Sequence, residues 1–152
     1  MKNELKAVLK RLERLAHIKQ TYVSVAEANL KAAEGEVRQL ETAETKITAH
    51  IQNTQAEISY LQSATGHEVQ SRERYIQALQ LQRTLIRQSL EKANLNLEHR
   101  RSEWTEAMRE QKLIEKVQER RVHQWERHDG AAGQKSQDEM SVGRFVRTRR
   151  EH

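Results

Sequence analysis

The sequence predicts an all-α protein, a long two-helix antiparallel coiled-coil hairpin with a flexible C-terminal tail. Three observations predict it. Apolar residues recur alternately three and four residues apart over most of the chain, which is the heptad signature of a coiled coil. The 152 residues include no proline, the residue that most strongly breaks a helix. The apolar fraction of 36% is low for a thick globular core, whereas a seam between two helices needs few apolar residues.

The first helix is predicted over residues 4–62. It contains two apolar stretches, one from Leu5 to Ala26 and one from Leu30 to Leu61. Four-residue steps join them, which predicts a stutter that locally unwinds the supercoil. Glu44 is a polar residue at a seam position, and we interpret it as a residue that sets the helix register or faces a partner. The first stretch places seven residues in the predicted seam: Leu5, Val8, Leu12, Leu15, Lys19, Tyr22 and Ala26.

Residues 63–68 are predicted to form the turn, because Gly66 stands there among small polar residues without an apolar seam. The second helix is predicted over residues 69–128, with a seam that begins at Ile76 and loosens beyond Ala107. Folding back at Gly66 places Leu40 opposite Ala93. The hairpin therefore forms one predicted domain, residues 1–128, with arms of roughly 90 Å at 1.5 Å per residue.

The segment 129–152 is predicted to be a mobile basic tail. Gly130 and Gly133 interrupt the helical pattern just after His128, and apolar residues are sparse beyond them.

The residue types exclude most chemistry. No cysteine is present, the five glycines form no phosphate-binding loop, and no two of the seven histidines are three or four residues apart. We therefore expect no catalytic residue, no cofactor, no metal site and no enzymatic activity. No run of about 20 apolar residues is present, and the N-terminus lacks the apolar stretch of a signal peptide, so we expect a cytoplasmic protein.

Charge is unevenly distributed along this chain of net charge +5. Residues 1–20 carry six basic and two acidic groups, whereas residues 21–70 carry three and seven. A hairpin brings the basic N-terminal stretch beside the basic end of the second helix, which predicts a docking surface for an acidic protein partner. Its candidate residues are Lys10, Arg11, Arg14, Arg120, Arg121, Trp125 and Arg127, with Trp125 as the candidate apolar anchor.

Three alternatives stay open on the residues alone. In the first, the cations are ordinary solvated side chains paired locally with Glu110, Glu115, Glu119 and Glu126. The chain could instead be a generic coiled-coil scaffold or homodimer in which one helix runs straight through Gly66. A basic nucleic-acid-binding protein is a third reading, but the cations alternate with glutamates and no aromatic ladder is visible, so we expect no nucleic-acid partner.

Three stretches carry a resemblance to a known family: Leu5–Leu15, Arg100–Trp104 and Gln134–Met140. The chain resembles the stalk proteins of bacterial type III secretion, namely the FliJ family of flagellar export and its YscO and HrpO relatives in injectisomes. This resemblance implies a nonenzymatic central stalk that enters a hexameric export ATPase and contacts the export gate membrane protein. It further implies a location peripheral to the inner-membrane export apparatus, and a link to escort chaperones.

Overall fold

A computed structural model of the chain consists of two long helices that pack against each other in a hairpin. It describes the backbone of residues 2–60 and 65–151 and the side chains of residues 2–60 and 65–130. Helix α1 spans Lys2–Tyr60 and helix α2 spans Gly66–Glu151. The predicted all-α two-helix coiled-coil hairpin is therefore confirmed. Residues 61 and 62 of the predicted first helix, and 63 and 64 of the predicted turn, lie outside the described residues.

Helix α2 begins at Gly66, three residues before the predicted start at residue 69. Thr65 caps it: the Thr65 carbonyl accepts hydrogen bonds from the amides of Glu68 at 3.1 Å and Val69 at 3.3 Å. The Thr65 hydroxyl oxygen also accepts from the Glu68 amide at 3.3 Å. A threonine followed three residues later by a glutamate is a capping-box signature, so this start was readable from the sequence.

Helix α2 also continues past its predicted end. The backbone stays helical from His128 through Gly130 to Glu151, so the prediction that the helix ends at His128 is wrong. The physical reason is that an interior glycine costs only about 1 kcal/mol relative to alanine, whereas a proline costs about 3 kcal/mol. The alanine, glutamine and lysine residues around the glycines favour a helix. That residues 129–152 form a separate mobile tail stays a prediction.

The chain divides into two compact units. The middle unit is Ser24–Thr105, and the terminal unit combines Met1–Val23 with Glu106–His152. Each unit contains a segment of both helices, and each is described here by itself.

The middle unit holds two clusters of buried apolar residues. In the first, Ala33, Val37, Ala93 and Leu97 are buried, and Leu30, Leu40 and Leu90 pack against them. Leu40 thus packs against the cluster that contains Ala93, as the hairpin predicts. In the second, Ile51, Ile76 and Leu79 are buried, with Ile47 and Ile58 packed against them. Alanines in the first cluster allow close packing of the helices, whereas branched and larger side chains fill the second.

Polar residues in the middle-unit seam are satisfied. Buried Thr54 donates its hydroxyl to the His50 carbonyl at 2.9 Å. Half-buried Glu44 accepts a hydrogen bond across the seam from Arg87 Nε at 2.8 Å. A second ion pair across the seam joins Arg72 and Glu57 at 3.6 Å. Because these contacts link the two helices, they support the interpretation of Glu44 as a residue that sets the register.

The terminal unit is packed differently. Of its residues with described side chains, Val23 alone is buried, and the seam residues before it are half-buried. The observed seam of α1 is Leu5, Leu9, Leu12, Ala16, Lys19 and Val23. This series keeps the alternating spacing of three and four into Ala26 and Leu30, so the predicted stutter is wrong. Leu15 and Tyr22, predicted in the seam, are exposed instead.

Candidate partner-binding surface

All seven predicted site residues belong to the terminal unit. The six cations are exposed and Trp125 is half-buried. Lys10, Arg11 and Arg14 lie on α1, and the others lie on α2: Arg120, Arg121, Trp125 and Arg127. Hairpin folding therefore brings two sequence segments, more than 100 residues apart, into one unit.

The sequences of the two units differ in charge. The terminal unit contains 17 lysines and arginines against 11 aspartates and glutamates, a net charge of +6. The middle unit contains 10 basic and 11 acidic residues, a net charge of −1. The net positive charge of the protein therefore comes from the terminal unit. A surface of net positive charge attracts negatively charged partners.

The arginines of the candidate surface have no acidic partner among the residues with described side chains. Within residues 2–60 and 65–130, no carboxylate lies within 4.0 Å of a side-chain nitrogen of Lys10, Arg11, Arg14, Arg120, Arg121 or Arg127. Arg121 donates from Nη1 to the Gln124 amide oxygen at 3.2 Å, a neutral acceptor.

One alternative reading of the sequence pairs these cations with nearby glutamates. Two of those glutamates contact other residues in the structure. Glu110 binds Lys19 Nζ across the helices at 2.9 Å, and Glu126 lies 3.9 Å from His123 Nδ1. These pairs leave the charge of the candidate arginines available to a partner.

Trp125 contacts the N-terminal end of α1. The Nζ atom of Lys2 lies 5.7 Å from the centroid of the indole ring, within the range of a cation–π interaction. The same Lys2 nitrogen binds the Asp129 carboxylate at 3.0 Å. Trp125 therefore joins the two helices of the terminal unit, and its role as an anchor for a partner stays a prediction.

A shallow groove of about 360 Å³ lies between the two helices of the terminal unit. Its α1 wall consists of Glu4, Leu5 and Val8, and its α2 wall consists of Arg121, Gln124 and His128. The groove connects the predicted site residue Arg121 with the N-terminal segment. It is an open surface groove rather than an enclosed cavity.

Among the described side chains of the terminal unit, six large apolar residues are exposed, and none of them was predicted to lie at the surface. They are 37% to 57% exposed: Leu15, Ile18, Tyr22, Leu113, Val117 and Val122. A signal for the three on α1 existed in the sequence. A second series of residues with heptad spacing runs beside the seam of α1: Glu4, Val8, Arg11, Leu15, Ile18 and Tyr22. A single predicted seam therefore contained residues of this second stripe together with residues of the observed seam.

Within residues 2–60 and 65–130, no group of three or more histidine, aspartate or glutamate side chains is arranged to hold a metal ion. Neither helix, over the residues described, has a stretch long and apolar enough to cross a membrane.

The fold defines a class of protein, the two-helix coiled-coil hairpins. The chain belongs to the flagellar FliJ protein family, whose sequence pattern it matches over residues 9–150. Membership confirms the resemblance to that family and gives the protein a role in flagellar or type III export as a structural component. Searches of curated proteins and of solved structures return no match.

Proposed function

We propose that the protein is the nonenzymatic central stalk of a bacterial type III secretion export apparatus. In this proposal the terminal unit docks into a hexameric export ATPase, and the protein also contacts the export gate membrane protein. The observation that carries the proposal, beside family membership, is the set of exposed arginines in the terminal unit without a carboxylate partner among the described side chains.

The arrangement of the cations suits contact with several acidic groups at once. Arg11 and Arg14 come from α1, and Arg120 and Arg121 come from α2, so the terminal unit presents arginines from both helices. A guanidinium group binds a carboxylate with two parallel hydrogen bonds and stays charged at any physiological pH. Four such groups on two packed helices therefore favour a partner that offers carboxylates or backbone carbonyls along a channel.

The exposure of these arginines decides what kind of contribution they make. A charge in water, near the edge of an interface, mainly raises the association rate and fixes orientation, and its effect falls with salt. We therefore expect stimulation of the ATPase to weaken as ionic strength rises. A stalk that must turn or release within a ring is served by contacts of this strength, because each contributes little by itself.

The middle unit supplies the other requirement of a coupling protein, a defined helix pairing. Its buried clusters and its two interhelical ion pairs hold α1 and α2 in one register. Arginines can be presented to a partner in a fixed pattern only where the two helices cannot slide.

Location and further partners follow from the same proposal. The protein would act in the cytoplasm, peripheral to the inner-membrane export apparatus, where the ATPase and the gate meet. Escort chaperones are additional partners that the family suggests. The relation to the YscO and HrpO proteins of injectisomes belongs to this proposal as well.

The test is stimulation of the export ATPase of the same organism by purified protein. The variant R11E/R14E/R120E/R121E is compared with R38E/K46E/R74E/R101E, which makes the same charge change at exposed cations of the middle unit. We expect the first variant to lose stimulation by about tenfold or more, which corresponds to about 1.4 kcal/mol of binding free energy. The second variant should stimulate normally.

Circular dichroism provides the folding control, since both variants should keep the helicity of the parent protein. Full stimulation by the terminal-unit variant, or equal loss in both variants, would contradict docking through the terminal unit.

A further inference from the structure

We propose that one side of the terminal unit is a docking groove for an amphipathic partner helix that carries acidic residues beside its apolar stripe. We call this side the lateral face. Its exposed apolar residues distinguish it from the proposed contact with the ATPase ring, whereas Arg11 and Arg121 belong to both surfaces. Its residues are Arg11, Leu15, Ile18 and Tyr22 on α1, and Leu113, Val117 and Arg121 on α2.

Helical spacing places the residues of the lateral face in two stripes. On α1, Arg11, Leu15, Ile18 and Tyr22 are separated by four, three and four residues, which keeps them on one side of a helix. On α2, Leu113, Val117 and Arg121 are separated by four and four residues and continue to Gln124. The α1 stripe runs beside the seam, as do Leu113 and Val117, whereas Arg121 continues the seam spacing between Gln118 and Trp125.

Two contacts show that the stripes border the same side of the helix pair. At one end, the groove described above is lined by Val8 of the α1 stripe and by Arg121 and Gln124 of the α2 stripe. Farther along α1, Lys19 Nζ binds Glu110 of α2 at 2.9 Å and lies 5.7 Å from the Tyr22 ring centroid. The exposed apolar residues of both stripes lie along the helices between these contacts.

The distribution of apolar and polar residues argues that this face has a partner. Seam positions of the terminal unit hold Lys19, Gln111 and Gln118, which are half-buried. Meanwhile Tyr22 and Leu113 are 57% and 56% exposed. Burial of apolar surface contributes about 25 cal/mol per Å², so leucine in the seam would stabilise the hairpin more than glutamine does. Single exposed apolar residues are ordinary, but five on one side form a patch of the kind that marks an interaction site.

Charge selects the occupant. Arg11 and Arg121 stand on the two stripes, and neither has a carboxylate within 4.0 Å among the described side chains. Arginine beside apolar anchors favours a partner with carboxylates at the matching edges. A second copy of the same face would bring like charges together, which disfavours it. Two stripes with a cleft between them fit a third helix, whose anchors recur every three and four residues.

The test uses the full chain and a synthetic 21-residue helical peptide. The acidic probe has leucine at the heptad seam positions and glutamate beside them, and a basic probe has lysine in place of every glutamate. Titration calorimetry measures both affinities. We expect the acidic probe to bind at least about tenfold more tightly than the basic probe. The variant I18D/L113D should weaken acidic-probe binding by about tenfold or more.

The matched control is L81D/L85D, which introduces the same two negative charges at exposed leucines of the middle unit. It should leave probe binding unchanged. A second variant, I18N/L113Q, tests the apolar contribution without adding negative charge and should also weaken binding. Helicity by circular dichroism and mass by light scattering are measured for each protein.

The proposal would be overturned by equal binding of the two probes, by equal losses in the lateral-face and control variants, or by absence of binding. A doubled mass that returns to the monomer value in I18D/L113D would also overturn it, since the occupant would then be a second copy. Because I18D/L113D retains all four arginines of the ATPase test, stimulation by this variant reports ring docking separately.

Discussion

The middle and terminal units use the same two helices for different purposes. In the middle unit, eight apolar residues and Thr54 are buried, and the net charge is −1. In the terminal unit, one described residue is buried, the seam admits lysine and glutamine, and the net charge is +6. Packing is thus concentrated where the helices must hold together, and charge is concentrated where we propose that partners bind.

Regular heptads alone therefore do not reveal which part of a coiled coil buries the most apolar surface. The three-and-four spacing is as regular in the terminal seam as in the middle seam, yet the buried surface differs. Stability follows the apolar area removed from water, whereas spacing only decides which side of the helix faces its partner. Matched substitutions in the two units test whether the middle unit supplies most of the stability.

The largest expected effect comes from Ile51, which is 3% exposed in the second cluster of the middle unit. The substitution Ile51→Ala removes buried methyl groups between Ile76 and Leu79 and should lower the free energy of unfolding by about 3 kcal/mol. Urea denaturation followed by circular dichroism measures the change. The control Leu85→Ala, at a side chain that is 55% exposed, should stay within about 0.5 kcal/mol of the parent. Similar losses in both variants would contradict the assignment of the core.

A smaller effect is expected at two helical glycines, one in each unit. A Cβ atom added at Gly35 or Gly130 meets nothing within 4 Å, and neither glycine has a positive φ. Gly35→Ala should raise the free energy of unfolding by about 1 kcal/mol, because alanine favours the helix. Gly130→Ala lies beyond the last seam residue, Trp125, so it should change global stability by less than about 0.5 kcal/mol. Thermal or urea denaturation of the pair would contradict the comparison if Gly130→Ala had the larger effect.

Much of the fold could be predicted from the sequence because heptad spacing and the absence of proline are local signals. The start of α2 at Gly66, three residues before the predicted start, was missed because the Thr65–Glu68 capping pair was not used. The end of α2 was wrong because Gly130 was treated as a stop signal, although a glycine weakens a helix without blocking it.

The candidate surface was harder to predict. The basic residues were found by counting charges, and the hairpin then placed them in one unit. The seam of the terminal unit was assigned to Leu15 and Tyr22, whereas Ala16 and Val23 occupy it. When two apolar stripes lie side by side on one helix, spacing fits both, and only the position of the second helix decides which stripe is buried.

We propose that the hexameric export ATPase binds the terminal unit. Hydrogen exchange of the protein, alone and in complex with the hexameric ATPase, tests this claim most directly, because protection is measured segment by segment. We predict that binding increases protection in residues 2–23 and 106–130 and leaves residues 24–60 and 65–105 unchanged. New protection confined to the middle unit would contradict the account.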